Sequence, residues 1–262
     1  MEDLLLVKIG GNIIDDEHSL SAFLNEFAAI PGHKILVHGG GKLATKLAET
    51  MGIQQQLVDG RRITDAETLK VVTMVYAGYI NKNITVKLQA RDCNAIGITG
   101  VDGNAILAHK RQHATIDYGF VGDIDEVNAA FLKSLLKRGH TLVVAPITHD
   151  KQGNLLNTNA DTIATQLAIA LNHIFDVKLV FCFEKNGVLQ DPSNEESLIS
   201  GISRNMYEDL KADNTISAGM IPKLDNAFDA LSAGVTDISI GHALQLTKLL
   251  RRETGTSLFY DE

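Results

Sequence analysis

The chain has 262 residues, of which 45% are hydrophobic and 21% are charged. These proportions are typical of a globular protein, so they exclude a disordered chain and a fibre. Asp and Glu number 32 against 24 for Lys and Arg, a formal net charge of −8. The overall field therefore repels polyanions and argues against nucleic acid as a partner.

The two cysteines, Cys93 and Cys182, form no CxxC pair, which indicates reduced thiols. The apolar run 4–7 is too short for a signal peptide and follows acidic residues. No stretch approaches the roughly 18 apolar residues of a membrane span. We therefore expect a cytoplasmic protein without a membrane partner.

Short aliphatic runs alternate with longer segments of helical period, which is typical of βα units and a mainly parallel α/β sheet. The sequence predicts strands at 4–9, 34–38, 95–99, 141–147, 177–183 and 237–240. It predicts covering helices at 18–30, 42–51, 65–91, 126–138, 160–171, 219–234 and 242–251. Turn signals predict antiparallel hairpins beside the sheet at 100–124 and 148–158. A lobe boundary is expected near 172–176, which separates lobes 1–175 and 176–262.

Two glycine clusters follow the first two predicted strands, as KIGGN (Lys8 to Asn12) and HGGGK (His38 to Lys42). Glycines at the carboxyl ends of parallel strands let backbone N–H groups approach an anion, and a following helix N-terminus adds a favourable dipole. Two such turns predict a phosphate site, although each alone is compatible with a simple tight turn.

HGGGK does not fit two better-known phosphate motifs. A Walker A loop is excluded, because Leu36 stands where its first glycine belongs and Leu43 follows Lys42. The glycines of HGGGK formally match the pattern of a dinucleotide-binding fingerprint, in which Asp59 would be the ribose-binding acid. Residues 53–58, which precede that acid, are too polar for a buried strand, so this interpretation is disfavoured.

Three further motifs carry candidate site residues: GRRIT (60–64), NTNAD (157–161) and GMIPK (219–223). Arg62 suits a carboxylate, Asp161 opens a helix, and Lys223 near a helix start opposes the helix dipole unless an anion is bound. Each has a simpler alternative as a solvated loop arginine, a helix-capping acid or an exposed lysine. His109 and His113 have the spacing of a metal pair but sit between turn signals, and no GxSxG nucleophile motif occurs, so covalent hydrolysis is disfavoured.

Taken in order, these five motifs resemble the amino acid kinase family, most closely the branch that phosphorylates N-acetyl-L-glutamate, over residues 4 to about 240. The resemblance implies a three-layer αβα sandwich with a mainly parallel, carbamate-kinase-like sheet. It also implies ATP and Mg2+, with transfer to the γ-carboxylate of an N-acyl-L-glutamate, acetyl or succinyl, in arginine biosynthesis. No dedicated metal ligand is expected, since ATP phosphates and water hold magnesium.

The resemblance also assigns roles to residues. Lys8 and Lys223 would flank the γ-phosphoryl group, and Asp161 would orient both lysines. Backbone donors to the phosphate would be Gly11 and Gly40. The acyl substrate would contact Gly40, Gly41, Arg62, Asn157 and Asn159. ATP would contact Glu184, Lys185, Asn186, Gly187, Val188, Leu189, Thr215, Ile216 and Ser217.

The segment Cys182 to Gly187 departs from the family's Ser/Thr-Asp-Val-x-Gly loop, because Glu184 and Lys185 replace its usual residues. This difference affects the nucleotide contacts and leaves a non-catalytic sensor as one alternative. Sibling kinases acting on glutamate, aspartate, carbamate or uridylate are another. The chain begins three residues before its first predicted strand, without a helix resembling the hexamer-forming, arginine-sensing element of some members, so we expect a homodimer without arginine feedback.

Overall fold

A central sheet and a small barrel contain most of the strands. The computed structural model describes residues 1–58, 61–191, 193–213, 215–216 and 219–261. The strands are β1 (Glu2–Ile9), β2 (His33–His38), β3 (Leu57–Val58), β4 (Arg61–Arg62), β5 (Ala95–Ile98), β6 (Ile106–Lys110), β7 (Val121–Val127), β8 (Thr141–Val144), β9 (Ile147–His149), β10 (Leu155–Thr158), β11 (Phe175–Phe183), β12 (Gly201–Ser203), β13 (Asp237–His242) and β14 (Thr256–Phe259).

Helices lie between most of the strands, as the periodicity predicted, although the helices at 11–15 and 204–212 were not predicted. The helices are α1 (Gly11–Asp15), α2 (Glu17–Ala29), α3 (Gly41–Thr50), α4 (Ala66–Thr73), a π-helical segment (Met74–Ile80), α5 (Asn81–Gln89), α6 (Ala129–Lys137), α7 (Ala160–Leu171), α8 (Arg204–Ala212), α9 (Ile221–Ser232) and α10 (Leu246–Leu250). None of the helices in the described part of the chain combines the length and apolar character that a membrane crossing requires.

In the described residues one sheet has eight strands, in the order β12–β14–β13–β11–β1–β2–β8–β5. Its ladders are parallel except for the antiparallel pair β13–β14. The predicted mainly parallel sheet is therefore confirmed. Because β1 is flanked by β2 and β11 in parallel, the carboxyl ends of these three strands meet at one edge, where ligands of such sheets bind.

Helices cover both faces of this sheet, which confirms the three-layer αβα arrangement. On β1, Leu4 and Leu6 pack into a core with α6, α7, α8 and α9. The alternate residues Leu5, Val7 and Ile9 pack into a second core with α2, α3, α4 and α5. This two-residue alternation explains why the strand is apolar at every position from Leu4 to Val7, and it directs Lys8 towards the α7 face.

The two predicted hairpins are present as antiparallel pairs, β6 with β7 and β9 with β10. Parallel pairs between β7 and β10 and between β6 and β9 join them into a closed four-stranded barrel. The strand predicted at 141–147 is divided, because Pro146 lies between β8 in the sheet and β9 in the barrel and has no N–H for a ladder.

Other boundaries differ from the prediction for local reasons. The helix predicted at 126–138 begins later, since β7 continues to Val127 and Asn128 caps the helix. The helix predicted at 65–91 contains the π-helical segment, a feature frequent at functional sites. The short strands β3, β4, β12 and β14 were not predicted, because each has four residues or fewer and too little alternation to detect.

Candidate active site

Two lysines and one aspartate meet at the carboxyl edge of the sheet. The Lys8 Nζ lies 2.7 Å from Oδ1 of Asp161, and the Lys223 Nζ lies 3.2 Å from Oδ2. The Lys8 and Asp161 side chains are about nine-tenths buried, whereas the Lys223 side chain is 23% exposed. One carboxylate therefore holds two ammonium groups side by side at the edge where the glycine turns begin.

Each member of this cluster is placed by its own element. Lys8 comes at the end of β1, in register with Val37 on β2 and Phe181 on β11. Asp161 lies in the first turn of α7, where the Asn159 side chain accepts hydrogen bonds from the N–H groups of residues 161 and 162. Lys223 lies in the first turn of α9. Because both α7 and α9 pack on the same face, their N-termini converge on Lys8.

Burial and charge oppose each other inside the cluster. Burial by itself would raise the pKa of Asp161, but Lys8 and Lys223 outweigh it, and the pKa lies below its ordinary value. Burial lowers the pKa of Lys8, an effect that the Asp161 charge partly offsets and the neighbouring Lys223 reinforces. The cluster thus holds an ionised carboxylate at neutral pH between two basic side chains, an arrangement suited to an anion.

The two glycine turns approach each other above the cluster. A Cβ on Gly11 would lie 3.9 Å from the backbone nitrogen of Gly41, so the turns after β1 and β2 are in contact. Gly40 has φ of +144°, and a Cβ there would overlap Cδ1 of Ile80 in the π-helical segment. Only glycine fits at this position. The sequence-predicted residues Gly11, Gly40 and Gly41 are thus brought together.

A first cavity of about 560 Å³ opens beside the two lysines. Of the residues predicted to contact ATP, Glu184, Lys185, Gly187, Val188, Leu189 and Ile216 line it. Asn186 and Thr215 do not line it, and Ser217 lies outside the described residues. The sequence prediction missed other lining residues, among them Asn12, Lys42, Gly219 and Met220.

A strand that the sequence did not predict supports the loop of this cavity. Thr256 of β14 accepts a hydrogen bond at Oγ1 from the Val188 N–H at 2.9 Å and donates one to the Ile199 carbonyl. Gly187 has φ of +158°, and a Cβ there would lie 2.7 Å from that hydroxyl oxygen. The loop therefore retains its glycine although Glu184 and Lys185 differ from the family pattern.

A second, smaller cavity of about 170 Å³ shares Gly41 with the first. The predicted substrate residues Gly40, Gly41, Arg62, Asn157 and Asn159 all line it. Arg62, 8% exposed, donates to the Gly41 carbonyl at 3.0 Å and to the Thr45 hydroxyl at 2.8 Å, and it also contacts Gln55. A guanidinium held in this way presents a fixed positive charge to the cavity.

Sequence reasoning missed an ion pair in this second cavity. Arg111 donates to both carboxylate oxygens of Asp123 at 2.5–3.1 Å, and both residues line the cavity. The signal that could have indicated this ion pair is the register of the hairpin: β6 and β7 pair Lys110 with Gly122, which brings the next residues, Arg111 and Asp123, close together. The neighbouring His109 is half-exposed and pairs with Asp125. No cluster of three or more potential metal-binding His, Cys, Asp or Glu occurs among the described residues.

Comparisons with known proteins identify the family of the chain. A family model described as the amino acid kinase family matches residues 3–242. An acetylglutamate kinase of Cytophaga hutchinsonii is 54% identical over 261 residues, which cover 98% of this chain and 99% of that protein. An acetylglutamate kinase of Bacteroides thetaiotaomicron is 56% identical over 257 residues, with 98% of both chains covered.

Solved structures share the fold. A protein of Streptococcus mutans UA159 superposes with a TM-score of 0.81 at 26% identity, with both chains fully covered. N-acetylglutamate synthase from Neisseria gonorrhoeae gives a TM-score of 0.85 at 20% identity, which shows the fold alone; the match covers 99% of this chain and 60% of the synthase. From the family model and the full-length relatives, the chain belongs to the amino acid kinase family and is an ATP-dependent kinase.

Proposed function

We propose that the chain transfers the γ-phosphoryl group of ATP to the γ-carboxylate of an N-acyl-L-glutamate, with N-acetyl-L-glutamate as the first candidate, for arginine biosynthesis. The observation that carries the proposal is that two cavities meet at Gly41 beside the cluster of Lys8, Asp161 and Lys223. Relatives named acetylglutamate kinase, more than 50% identical over nearly the full chain, support the choice of acceptor.

The nucleophile requires no general base. A γ-carboxylate has an ordinary pKa of about 4.3 and is ionised at neutral pH. The reaction instead needs in-line positioning and neutralisation of charge as the phosphoryl group passes between two anionic oxygens. Lys8 and Lys223 supply the charge, Asp161 keeps the two ammonium groups apart and oriented, and the N–H groups of Gly11 and Gly40 face the phosphate oxygens.

We place ATP in the first cavity, whose 560 Å³ are bounded by the loop 183–189 and by Met220 before α9. Magnesium, when bound with ATP, adds positive charge at the phosphate oxygens. Glu184 is the carboxylate among the described lining residues, so the donor set fits an ion held by phosphates and water more than by a protein cage.

We place the acyl amino acid in the second cavity, with Arg62 at the α-carboxylate and Asn157 at the acylamido group. The Nδ2 of Asn157 donates to Thr64 at 3.0 Å, which orients the amide. The lining residues of this cavity all precede residue 163, which supports an acyl-substrate lobe over 1–175 and an ATP lobe over 176–262. The assay described below distinguishes an acetyl from a succinyl group on the substrate.

Two further expectations accompany this proposal. A homodimer is supported by apolar side chains exposed along the continuous helix 66–89, where Met74, Tyr79 and Val86 are 51–64% exposed. Light scattering after gel filtration tests it, and a monomer or hexamer would contradict it. The cytoplasmic location stays a prediction.

The test is ADP release with ATP and magnesium, offering N-acetyl-L-glutamate, N-succinyl-L-glutamate, free glutamate, aspartate, carbamate and uridylate side by side. Hydroxylamine trapping of the product identifies an acyl phosphate. The Lys8→Met variant should lose at least about 100-fold in kcat, the scale for loss of one group that stabilises transition-state charge. Lys178→Met is the matched control, because Lys178 lies on the adjacent strand, 38% exposed and 3.9 Å from Asp3.

Turnover confined to acylated glutamates would support the proposal and identify the acyl group. Turnover of one of the other acceptors instead would assign a sibling kinase. ATP binding without ADP release from any acceptor would favour a sensor, for which the Glu184 and Lys185 loop is the motivating feature. Full activity of Lys8→Met would refute the assignment of the lysine.

A further inference from the structure

His38 ends β2 immediately before the glycine turn and is fully buried. Its Nδ1 lies 2.9 Å from the carbonyl oxygen of Gly39, and its Nε2 lies 3.2 Å from Nδ2 of Asn81. Asn81 is also fully buried, at the junction of the π-helical segment and α5. A buried polar pair therefore lies directly behind the turn that faces both cavities.

The partners determine where the protons are. The carbonyl of Gly39 can only accept, so Nδ1 of His38 carries a hydrogen and donates it. Nδ2 of Asn81 also donates to the Val143 carbonyl at 2.9 Å, while its Oδ1 accepts from the Lys82 ammonium at 3.1 Å. The amide orientation is thus fixed, and Nε2 of His38 must accept. His38 is neutral with its hydrogen on Nδ1, and burial accordingly lowers its pKa to about 4.

This hydrogen bond sets the direction of a peptide group. The described peptide bonds are trans, so the Gly39 carbonyl and the Gly40 N–H point in opposite directions. Since the carbonyl is directed to the buried imidazole, the N–H is directed away from it, towards the side where Gly40 lines the second cavity. Among the described residues, none accepts a hydrogen bond from this N–H.

We propose that His38 is a positioning residue, which holds the peptide between Gly39 and Gly40 so that the Gly40 N–H faces the anionic group bound between the two cavities. A peptide between two glycines has the least steric restriction on rotation. Rotated by half a turn, it would present a carbonyl oxygen to the anion and repel it. The inference rests on the proposed function for the identity of that anion as the phosphoryl group in transfer.

The opposite side of the turn is restrained by the same helical segment. Ile80 and Tyr76 of the π-helical segment pack on Gly40, while Asn81, the next residue, holds His38. The Gly40 dihedrals and the imidazole orientation are thus set by consecutive residues, Ile80 of the π-helical segment and Asn81 of α5. This arrangement gives the π-helical segment a role in the site without any contact to substrate.

The test compares His38→Asn with His38→Leu, two side chains of nearly equal shape. The Asn amide nitrogen can occupy the position of Nδ1 and donate to Gly39, whereas Leu cannot donate. We expect Leu to lower kcat roughly 10- to 100-fold, less than complete loss of an oxyanion donor, with the KM for ATP within about 3-fold because the first cavity is unchanged. Asn should recover most of kcat. His109→Asn, at a half-exposed histidine, should match the wild type.

Crystal structures of the two variants provide a readout that does not depend on turnover. The Gly39 carbonyl should keep its direction in His38→Asn and rotate in His38→Leu. Equal kcat in the two folded variants, or an unrotated peptide in the Leu variant, would overturn the inference. If the Leu variant does not fold, His38→Gln replaces it, since its amide oxygen can take the Nε2 position and accept from Asn81 while no donor stands at the Nδ1 position. If the wild type is inactive on every acceptor, the proposed function is refuted. This inference would then be tested only by the direction of the Gly39 carbonyl in the two variant structures.

Discussion

Replacing Asp161 by asparagine removes the carboxylate that faces both lysines while keeping the shape of the side chain. The two ion-pair distances are 2.7 and 3.2 Å. At an effective dielectric constant of about 20 each contact is worth roughly 5–6 kcal/mol of attraction before the cost of desolvation. Loss of one partner of a buried pair has a net cost of about 3–5 kcal/mol, because the remaining charge stays buried. We expect the Asp161→Asn variant to lose that much unfolding free energy.

Urea unfolding followed by circular dichroism measures this loss. With a slope of roughly 3 kcal/mol per molar urea, the midpoint should fall by about 1–2 M. Glu67→Gln is the matched control, because Glu67 pairs with Lys70 at the same 2.7 Å but both side chains are more than 60% exposed. Its effect should stay below about 1 kcal/mol.

Two further signatures follow from the charges left behind. The loss of unfolding free energy in Asp161→Asn should become smaller as pH rises. Burial already lowers the pKa of Lys8, so at higher pH Lys8 can lose its proton in the folded protein while the unfolded chain keeps it. Combining Lys8→Met with Asp161→Asn should restore stability without restoring ADP release. Equal losses in Asp161→Asn and Glu67→Gln would refute the argument that burial makes the cluster costly to break.

Three other predictions concern the second cavity, the glycine turn and pH. Arg62→Lys should raise the KM for the acyl amino acid about 10-fold in steady-state assays because the forked donor is lost, while the KM for ATP is unchanged; an unchanged KM for both would contradict this placement. Gly40→Ala should cost more than about 2 kcal/mol of unfolding free energy from strain and overlap with Ile80, whereas Gly52→Ala, with φ of +75° and open space, should cost about 1 kcal/mol. As pH falls from 6.5 to 4, His38 gains a proton in the unfolded chain but not in the folded protein, so the free energy of unfolding should fall by up to about 3 kcal/mol. The His38→Asn variant lacks this group, so its free energy of unfolding should depend less on pH in that window.

The sheet and its glycine turns could be predicted because their signals are local. From Leu4 to Val7, β1 is apolar on both faces; it ends with Lys8 and Ile9, and two glycines follow it. β2 ends at His38, and three glycines follow it. Parallel strands end at one edge, so the two turns were expected to meet there. The sequence could not predict β12 and β14, since they pair across more than 50 residues, with Ser203 opposite Phe259, and neither has a strong pattern of its own.

The candidate site, like the fold, could be predicted only in part from the sequence. Resemblance identified Lys8, Asp161 and Lys223, but their contacts join positions 153 and 62 residues apart, and only the packing of α7 and α9 on one face of the sheet brings them within 3.2 Å. The pairing of Arg111 with Asp123 was not predicted, because it depends on the register of the hairpin formed by β6 and β7.

The amino-acid sequence by itself determined the α/β class, the two phosphate-compatible turns and the family, because these depend on residue type, spacing and period along the chain. Only the tertiary structure shows that the two lysines pair with the same buried carboxylate and that the two cavities meet at Gly41. It also shows which nitrogen of His38 carries the proton. These properties depend on distances and hydrogen-bond partners between segments far apart in the chain, which no local pattern encodes.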